Sequence, residues 1–352
     1  MPARAQVVGV GLIGGSIALA LRAHGWHVTG YDLNEANAEA GVQLGALDAT
    51  GFDPLVELTF VATPVGIVPQ AVAEAIATTA GVVTDAGSVK SPMRQLMAEP
   101  RYVGGHPMAG SELEGVAGAR ADLFEGQTWV LTPIDTTDGD AYTKVQSVVS
   151  GFGADVVALD PAAHDRMVAV VSHVPHLTAA TLMRLADTRS DEHRALLRLA
   201  AGGFRDMTRI AAGHPGIWPD ICAENRDAIV DTLDALIDDL RDMRAIVSRG
   251  DRKRLTELLE GARSARLNLP ARFARPEDLA ELRVRILDRL GEVARITTAA
   301  SEIGVSLLDL EIAHSAEGED GVLIMTVELA VADVLRAGLQ KLGYPSTVRK
   351  LG

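Results

Sequence analysis

Cysteine is almost absent: the 352-residue chain has one, Cys222. A single thiol excludes an internal disulfide framework and a multi-thiolate metal site, and it fits a reducing compartment. Cys222 itself reads as a small buried hydrophobe rather than a nucleophile. Basic residues are in the minority, 33 Lys and Arg against 47 Asp and Glu, for a formal net charge of −14. No basic cluster is available to track a phosphate backbone, which argues against nucleic acid as a partner. Apolar runs are short, none reaching the roughly 18 residues that a membrane span needs. The apolar stretch after Arg4 is broken by Gly9, Gly11, Gly14 and Gly15, so it does not read as a signal peptide. A soluble, cytoplasmic protein is expected, with no membrane and no nucleic acid among its partners. Low-complexity segments and internal repeats are missing as well.

What is present is an ordinary globular composition, 47% hydrophobic and 23% charged. The chain is too long for one core, and roughly two or three domains are expected. From residue 5 to about 150, short β-rich runs alternate with Ala-rich helical stretches. Gln6–Val10, Val28–Asp32, Leu58–Ala62, Val82–Asp85, Tyr102–Gly104 and Thr128–Leu131 read as strands of a parallel, doubly wound α/β sheet of Rossmann type. Between 151 and 275 long helical patterns take over, over 161–186, 190–202 and 224–248. In the last, Ile229, Leu233, Leu236, Ile237, Leu240, Met243 and Val247 form an apolar stripe that must bury against something. An intrachain core would satisfy it, and so would a partner subunit; a homodimer is expected. Leu267–Pro276 reads as a linker. Beyond it, over 279–352, alternation at Leu282, Val284 and Ile286, a helix over 291–304, alternation at Leu308, Leu310 and Ile312, a turn at Glu317–Gly321, a strand over Val322–Leu329, a helix over Val331–Leu342 and a strand over Pro345–Arg349 give βαββαβ, a ferredoxin-like order.

Gly9, Gly11 and Gly14 stand in the G-x-G-x-x-G spacing, after a strand and at the opening of the helix that takes in Leu12 and Ile13. That arrangement permits a tight turn, close approach of a pyrophosphate, and close helix–strand packing at the positive end of a helix dipole. A second strand ends in Asp32, 18 residues past Gly14, where a carboxylate binds a ribose 2′-hydroxyl. The following Leu33-Asn34-Glu35-Ala36 has no Arg or Lys for a 2′-phosphate, so the cofactor expected is NAD. Three further strand ends lead into site loops: Thr63-Pro64-Val65, Asp85 to Lys90, and Gly105 to Glu112. His106 is the strongest base candidate, because a neutral imidazole can take an alcohol proton while hydride departs; the competing reading is a histidine that only hydrogen-bonds its own loop. His173 and His176 stand three apart and resemble a metal pair. Pro175 lies between them and the H-E-x-x-H glutamate is missing, so no metal is expected.

Taken together, Gly11–Ser16, Asp85–Lys90, His106–Glu112, Ser172–His176, Gly203–Ala211 and Trp218…Ile221…Asn225 make the chain resemble the prephenate/arogenate dehydrogenase family, and the last segment is similar to an ACT regulatory domain. The resemblance implies NAD-dependent oxidative decarboxylation of prephenate on the way to tyrosine. It implies that His106 and Ser88 meet the ring hydroxyl, that Arg209 holds a substrate carboxylate with Glu112 as its partner beforehand, and that His176 lines the side-chain end of the pocket with Trp218 close by. Asn225 reads as an N-cap at the start of the long helix. An ACT module implies feedback by tyrosine or phenylalanine at the Leu290-Gly291-Glu292 turn. Arogenate instead of prephenate remains open, with a lean to prephenate because no carboxylate for an ammonium is evident. A sensor that binds NAD and an amino acid without turnover is the alternative of another class. 3-Hydroxyacid dehydrogenases and pyrroline-carboxylate reductases share the Rossmann-then-helical layout but lack the His-Pro-Met-Ala-Gly-Ser-Glu and Phe-Arg-Asp-x-Thr-Arg runs.

Overall fold

The computed structural model describes every residue except Met1, Glu112, Glu114, 191–195, 269–278, Asp288, Leu290, 315–319 and Gly352. Contacts divide the chain into two units, Met1–Leu240 and Arg241–Gly352. In the first, β1 (Arg4–Val8), α1 (Leu12–Ala23), β2 (His27–Tyr31), α2 (Glu35–Gln43), β3 (Ala49–Thr50), β4 (Leu58–Val61), α3 (Val68–Thr78), β5 (Val82–Asp85), β6 (Tyr102–Pro107), β7 (Thr128–Thr132), α4 (Gly139–Gly151) and β8 (Asp155–Ala158) follow one another. Among the described residues they build an eight-stranded sheet in the order β3-β2-β1-β4-β5-β6-β7-β8. Chain order reverses between β1 and β4, the switch point at which doubly wound sheets bind nucleotides.

The central strands are buried on both faces, as the unbroken runs at β1 and β4 require, with Val7, Leu58 and Phe60 wholly enclosed. Asp138 caps α4 by accepting from the Ala141 N–H. Three details differ from expectation. β1 stops at Val8 rather than Val10 because Gly9 turns into the left-handed region at φ 91°. β7 pairs antiparallel with β6, so the sheet is mixed rather than wholly parallel. The sheet also runs past residue 150: β8 pairs in parallel with β7, a largely exposed edge strand of four residues, too short to stand out in the sequence.

Helices follow: α5 (Pro161–Val168), a π-helical turn over Ala169–His173, α6 (Val174–Ser190), α7 (Gly202–Thr208), α8 (Trp218–Glu224) and α9 (Arg226–Arg249). The helix expected over 161–186 is present but widened in the middle. Pro175 has no N–H and its ring would strike the carbonyl four residues back, which the wider turn relieves. The helix expected over 190–202 is not what forms in the described part: Leu196–Leu199 is a single 3₁₀ turn, and α7 starts at the Gly202-Gly203 pair, which is costly inside a helix and tolerable at its start. On α9, Ile229, Leu233 and Leu236 pack with Val65, Val89, Ala169, Val174 and Ile221, while Ile237 and Leu240 stay exposed. The stripe is therefore only partly used within the first unit.

The second unit begins inside α9 and includes α10 (Arg252–Leu267), β9 (Leu279–Leu287), α11 (Glu292–Glu302), β10 (Asp309–His314), β11 (Asp320–Glu328), α12 (Leu329–Lys341) and β12 (Ser346–Lys350). Its four strands lie in the order β10-β11-β9-β12, all antiparallel, the expected βαββαβ fold. Leu282, Val284, Leu323, Met325 and Val327 cover one face and pack with Ile296, Ala300, Leu335 and Leu339 of the two helices. Most of the expected 267–276 linker lies outside the described residues.

Candidate active site

The glycine turn is shaped for a pyrophosphate. A methyl on Gly9 would sit 2.5 Å from the Ala62 carbonyl oxygen, and one on Gly14 would overlap the Gly9 carbonyl, so both positions require glycine. A methyl on Gly11 would meet nothing within 4 Å, leaving open space over the loop. Leu12 and Ile13, both half-buried, open α1 and aim its first N–H groups toward that space. At the end of β2, Asp32 accepts from Val10 N at 2.7 Å, Asn34 N at 2.9 Å and Asn37 Nδ2 at 3.2 Å, which fixes its carboxylate at the turn. Gly9, Gly11, Asp32, Thr63 and Pro64 line a cavity of about 450 Å³. Thr63 Oγ1 is buried with no hydrogen-bond partner among the described residues, an orphan that a bound ligand satisfies. Asp32 and Glu74 make the lining acidic, and no described lining residue is basic. The residues fit NAD, whose ribose hydroxyls suit a carboxylate, and they oppose a 2′-phosphate.

Next to this cavity, the ends of β5 and β6 are tied together through one buried carboxylate. Asp85 accepts from Tyr102 Oη at 2.7 Å, Gly87 N at 2.8 Å and Gly105 N at 3.1 Å, and it forms an ion pair with Lys90 in which both side chains are wholly buried. Burial, with the Asp85 charge second, pushes the Tyr102 phenol well above its ordinary value, so it remains a donor. The loop carrying half-buried Ser88 is thereby fixed against the strand carrying His106.

His106 does more than bond its own loop. Its Nδ1 lies 2.9 Å from His164 Nε2, and His164 Nδ1 lies 2.9 Å from Asp165 Oδ1. Asp165 Oδ1 also accepts from Lys90 N at 2.8 Å, and Oδ2 accepts from Ser91 N at 2.7 Å and from Ser91 Oγ. Burial alone would raise the Asp165 carboxyl, but the hydrogen bonds from His164, Ser91 and the Lys90 N–H outweigh it and hold it below its usual value. A carboxylate only accepts, so His164 carries its proton on Nδ1 and presents a bare Nε2. That nitrogen accepts from His106 Nδ1, which leaves His106 Nε2 bare. Burial first, then His164, Lys90 and His173, holds His106 well below the ordinary imidazole value. The result is a neutral base with its accepting nitrogen set by a carboxylate two links away.

The same cluster extends to the other predicted residues. Asn225 Nδ2 donates to the Asp165 carbonyl at 2.8 Å and to His173 Nδ1 at 3.2 Å. Asn225 is thus buried between α5 and the π turn; it closes α8, and its side chain is not the N-cap of α9 that its position suggested. Burial lowers His173 to about 4, so it is neutral, with Nδ1 accepting and Nε2 protonated. Its ring meets Trp218 edge-on, and His176 stacks on the same indole at 3.8 Å between centroids. Burial lowers His176 too. Trp218 therefore packs against the core and positions His176. Arg209 is exposed in a 3₁₀ turn, Arg209–Ala212, whose Gly213 end borders His176. Glu112 lies outside the described residues. His164, Asp165, Asp85 and Lys90 were missed as site residues. The signal for the first two was a His-Asp pair among Ala, Met and Val, at helical spacing from Val168 on the buried face of α5. Among the described residues no group of three His, Cys, Asp or Glu is placed to hold a metal, and no described helix is long and apolar enough to cross a membrane.

Comparison with known proteins bears on this arrangement directly. Residues 17–158 match the family "Prephenate dehydrogenase, nucleotide-binding domain", and residues 160–261 match "Prephenate dehydrogenase, dimerization domain". A prephenate dehydrogenase of Bacillus subtilis (strain 168) is 34% identical over 334 residues, 90% of each chain. The crystal structure of the A. aeolicus prephenate dehydrogenase in complex with hydroxyphenyl propionate and NAD+ is 30% identical, with a TM-score of 0.72 over 77% of this chain and 99% of that one. The Synechocystis arogenate dehydrogenase is 29% identical, with a TM-score of 0.66 over 75% of this chain and 98% of that one. With a mixed Rossmann sheet, an NAD-shaped glycine turn and a carboxylate-directed histidine at one strand edge, the chain belongs to the prephenate dehydrogenase family.

Proposed function

We propose that this chain catalyses the NAD-dependent oxidative decarboxylation of prephenate to 4-hydroxyphenylpyruvate, a step toward tyrosine. The observation that carries the reading is His106: buried, neutral, and with Nε2 left bare by the bonds running to Asp165. Such a group takes the proton of the ring 4-hydroxyl as the C4 hydrogen departs. NAD, when bound, supplies the acceptor for that hydrogen and its electron pair. Ser88 stands on the adjoining loop to meet the same hydroxyl. Arg209 offers a planar fork of donors to a substrate carboxylate. His176, held neutral by burial and stacked on Trp218, offers no counter-charge to an ammonium, which favours the keto acid prephenate over the amino acid arogenate. Aromatisation of the ring drives the step forward.

The reading extends to the remaining parts of the chain. A nucleotide-binding part ending near 150, a helical part to about 275 and a ferredoxin-like part over 279–352 form a three-domain enzyme. Val170, Val171 and Leu185, together with Ile237 and Leu240 of α9, are large apolar side chains left exposed on the helical part, which supports a homodimer through it. The C-terminal part acts as an ACT domain that takes tyrosine or phenylalanine at the turn before α11, where Gly291 adopts φ 88° and Glu292 opens the helix; Leu290 lies outside the described residues. One free cysteine suits the cytoplasm.

The test is NADH formation on supplying purified protein with NAD and either prephenate or arogenate, repeated with tyrosine or phenylalanine, alongside mass by light scattering. Turnover on prephenate is expected. Turnover on arogenate alone would reassign the substrate, and NAD binding without turnover on either would favour a sensor.

A further inference from the structure

We propose that the proton leaving the substrate's ring hydroxyl is not kept on His106 but is held one residue further in, on His164, as an ion pair with Asp165. The proposal rests on the reading of His106 as the base of this oxidation. His164 would touch neither substrate nor cofactor; it is a positioning residue that holds a proton for the base.

The geometry makes the second ring the better place for a positive charge. A cation on His106 would sit buried, with the Lys90 ammonium and the rings of His164 and His173 among its neighbours and no carboxylate bonded to it among the described residues. A cation on His164 lies 2.9 Å from Asp165 Oδ1, where the pair is neutral overall. Asp165 is itself fixed by Lys90 N, Ser91 N and Ser91 Oγ, so no reorganisation is needed when the charge arrives. Among the described residues, the charged and titratable groups of this cluster are His106 on β6, Lys90 in the loop after β5 and paired with Asp85 at that strand's end, Asp165 on α5 and His173 on the π turn. Among the described residues, only Asp165 offers His164 a carboxylate bond.

The step balances. The C4–H bond breaks and its electron pair goes to the nicotinamide, while the hydroxyl O–H bond breaks and its proton goes to His106 Nε2. The Nδ1 proton of His106 crosses to His164 Nε2, leaving His106 neutral in its other tautomer. The bond from ring to carboxylate then breaks, carbon dioxide departs, and its electron pair passes through the ring to the C4 oxygen. The proton returns along the same two nitrogens to give the phenol. No proton is gained or lost overall, so a temporary holder inside the protein is enough, and no exit to solvent is required.

The test is imidazole ¹⁵N NMR of the full chain labelled at histidine, titrated without substrate. At high pH, His106 should be protonated on Nδ1 and His164 on Nδ1. On acidification His164 should become the doubly protonated ring while His106 switches its single proton to Nε2. A doubly protonated His106 beside a neutral His164, or neither ring protonated before the protein unfolds, would overturn the proposal. His164→Gln provides a second readout: it can accept from His106 but cannot take a proton. We expect kcat to fall on the order of 100-fold with KM and NAD affinity within a few-fold. Activity within threefold of the parent would also overturn the proposal. Because the titration needs no turnover, an error in the assigned substrate leaves its outcome readable.

Discussion

Lys90→Met removes one half of the wholly buried Asp85–Lys90 pair while nearly conserving volume. The Asp85 carboxylate keeps three donors, Tyr102 Oη, Gly87 N and Gly105 N, but loses the only cation bonded to it among the described residues. Breaking a buried pair from one side leaves an uncompensated charge and destabilises by about 3–5 kcal/mol. For a cooperative unit of roughly 150–250 residues, each kcal/mol moves the melting temperature by about 2–4 °C, so a drop on the order of 10 °C is expected. Calorimetric melting of the full chain measures it. The double variant Asp85→Asn with Lys90→Met removes both charges, and it should be less destabilised than the sum of the two single variants, because neither leaves its partner stranded. A Lys90→Met penalty below 1 kcal/mol, or strict additivity in the cycle, would refute the claim that this pair ties the Ser88 loop to the His106 strand.

Gly14→Ala is expected to weaken NAD binding at least about tenfold, since its methyl must displace the Gly9 carbonyl that shapes the pyrophosphate turn; titration calorimetry with NAD checks it, and unchanged affinity would remove the glycine argument. His173 supplies a pH test. Burial lowers it to about 4 in the fold, whereas an unfolded histidine titrates near 6.5. Its contribution is therefore complete above about pH 6.5 and is lost as pH falls toward 4, up to roughly 3 kcal/mol. Urea midpoints at about pH 7 and pH 5 should differ in that direction, and His173→Gln should flatten the dependence; equal midpoints for the parent would count against a buried neutral ring.

Local rules carried a large part of this fold. The glycine turn, Asp32 after the second strand, the six strands named in advance and the βαββαβ order of the last unit all follow from periodicity and turn chemistry, which act over a few residues. The motifs that carry His106, Ser88, His176 and Trp218 were legible because each is a compact run of residues. What the sequence left undecided depends on pairing across long separations. Strand direction at β7 is a choice of neighbour, and β3 and β8 are strands only because an existing edge accepts them. Asn225 was assigned to a cap by its position, yet it bonds the Asp165 carbonyl 60 residues away. The histidine relay shows the same limit: His106 and His164 are 58 residues apart, and Lys90 N reaches Asp165 across 75. Spacing and turn chemistry supplied the glycine turn and the strand end that carries His106, but only tertiary packing brought β6 against α5, and that contact decides which ring nitrogen of His106 is bonded to His164.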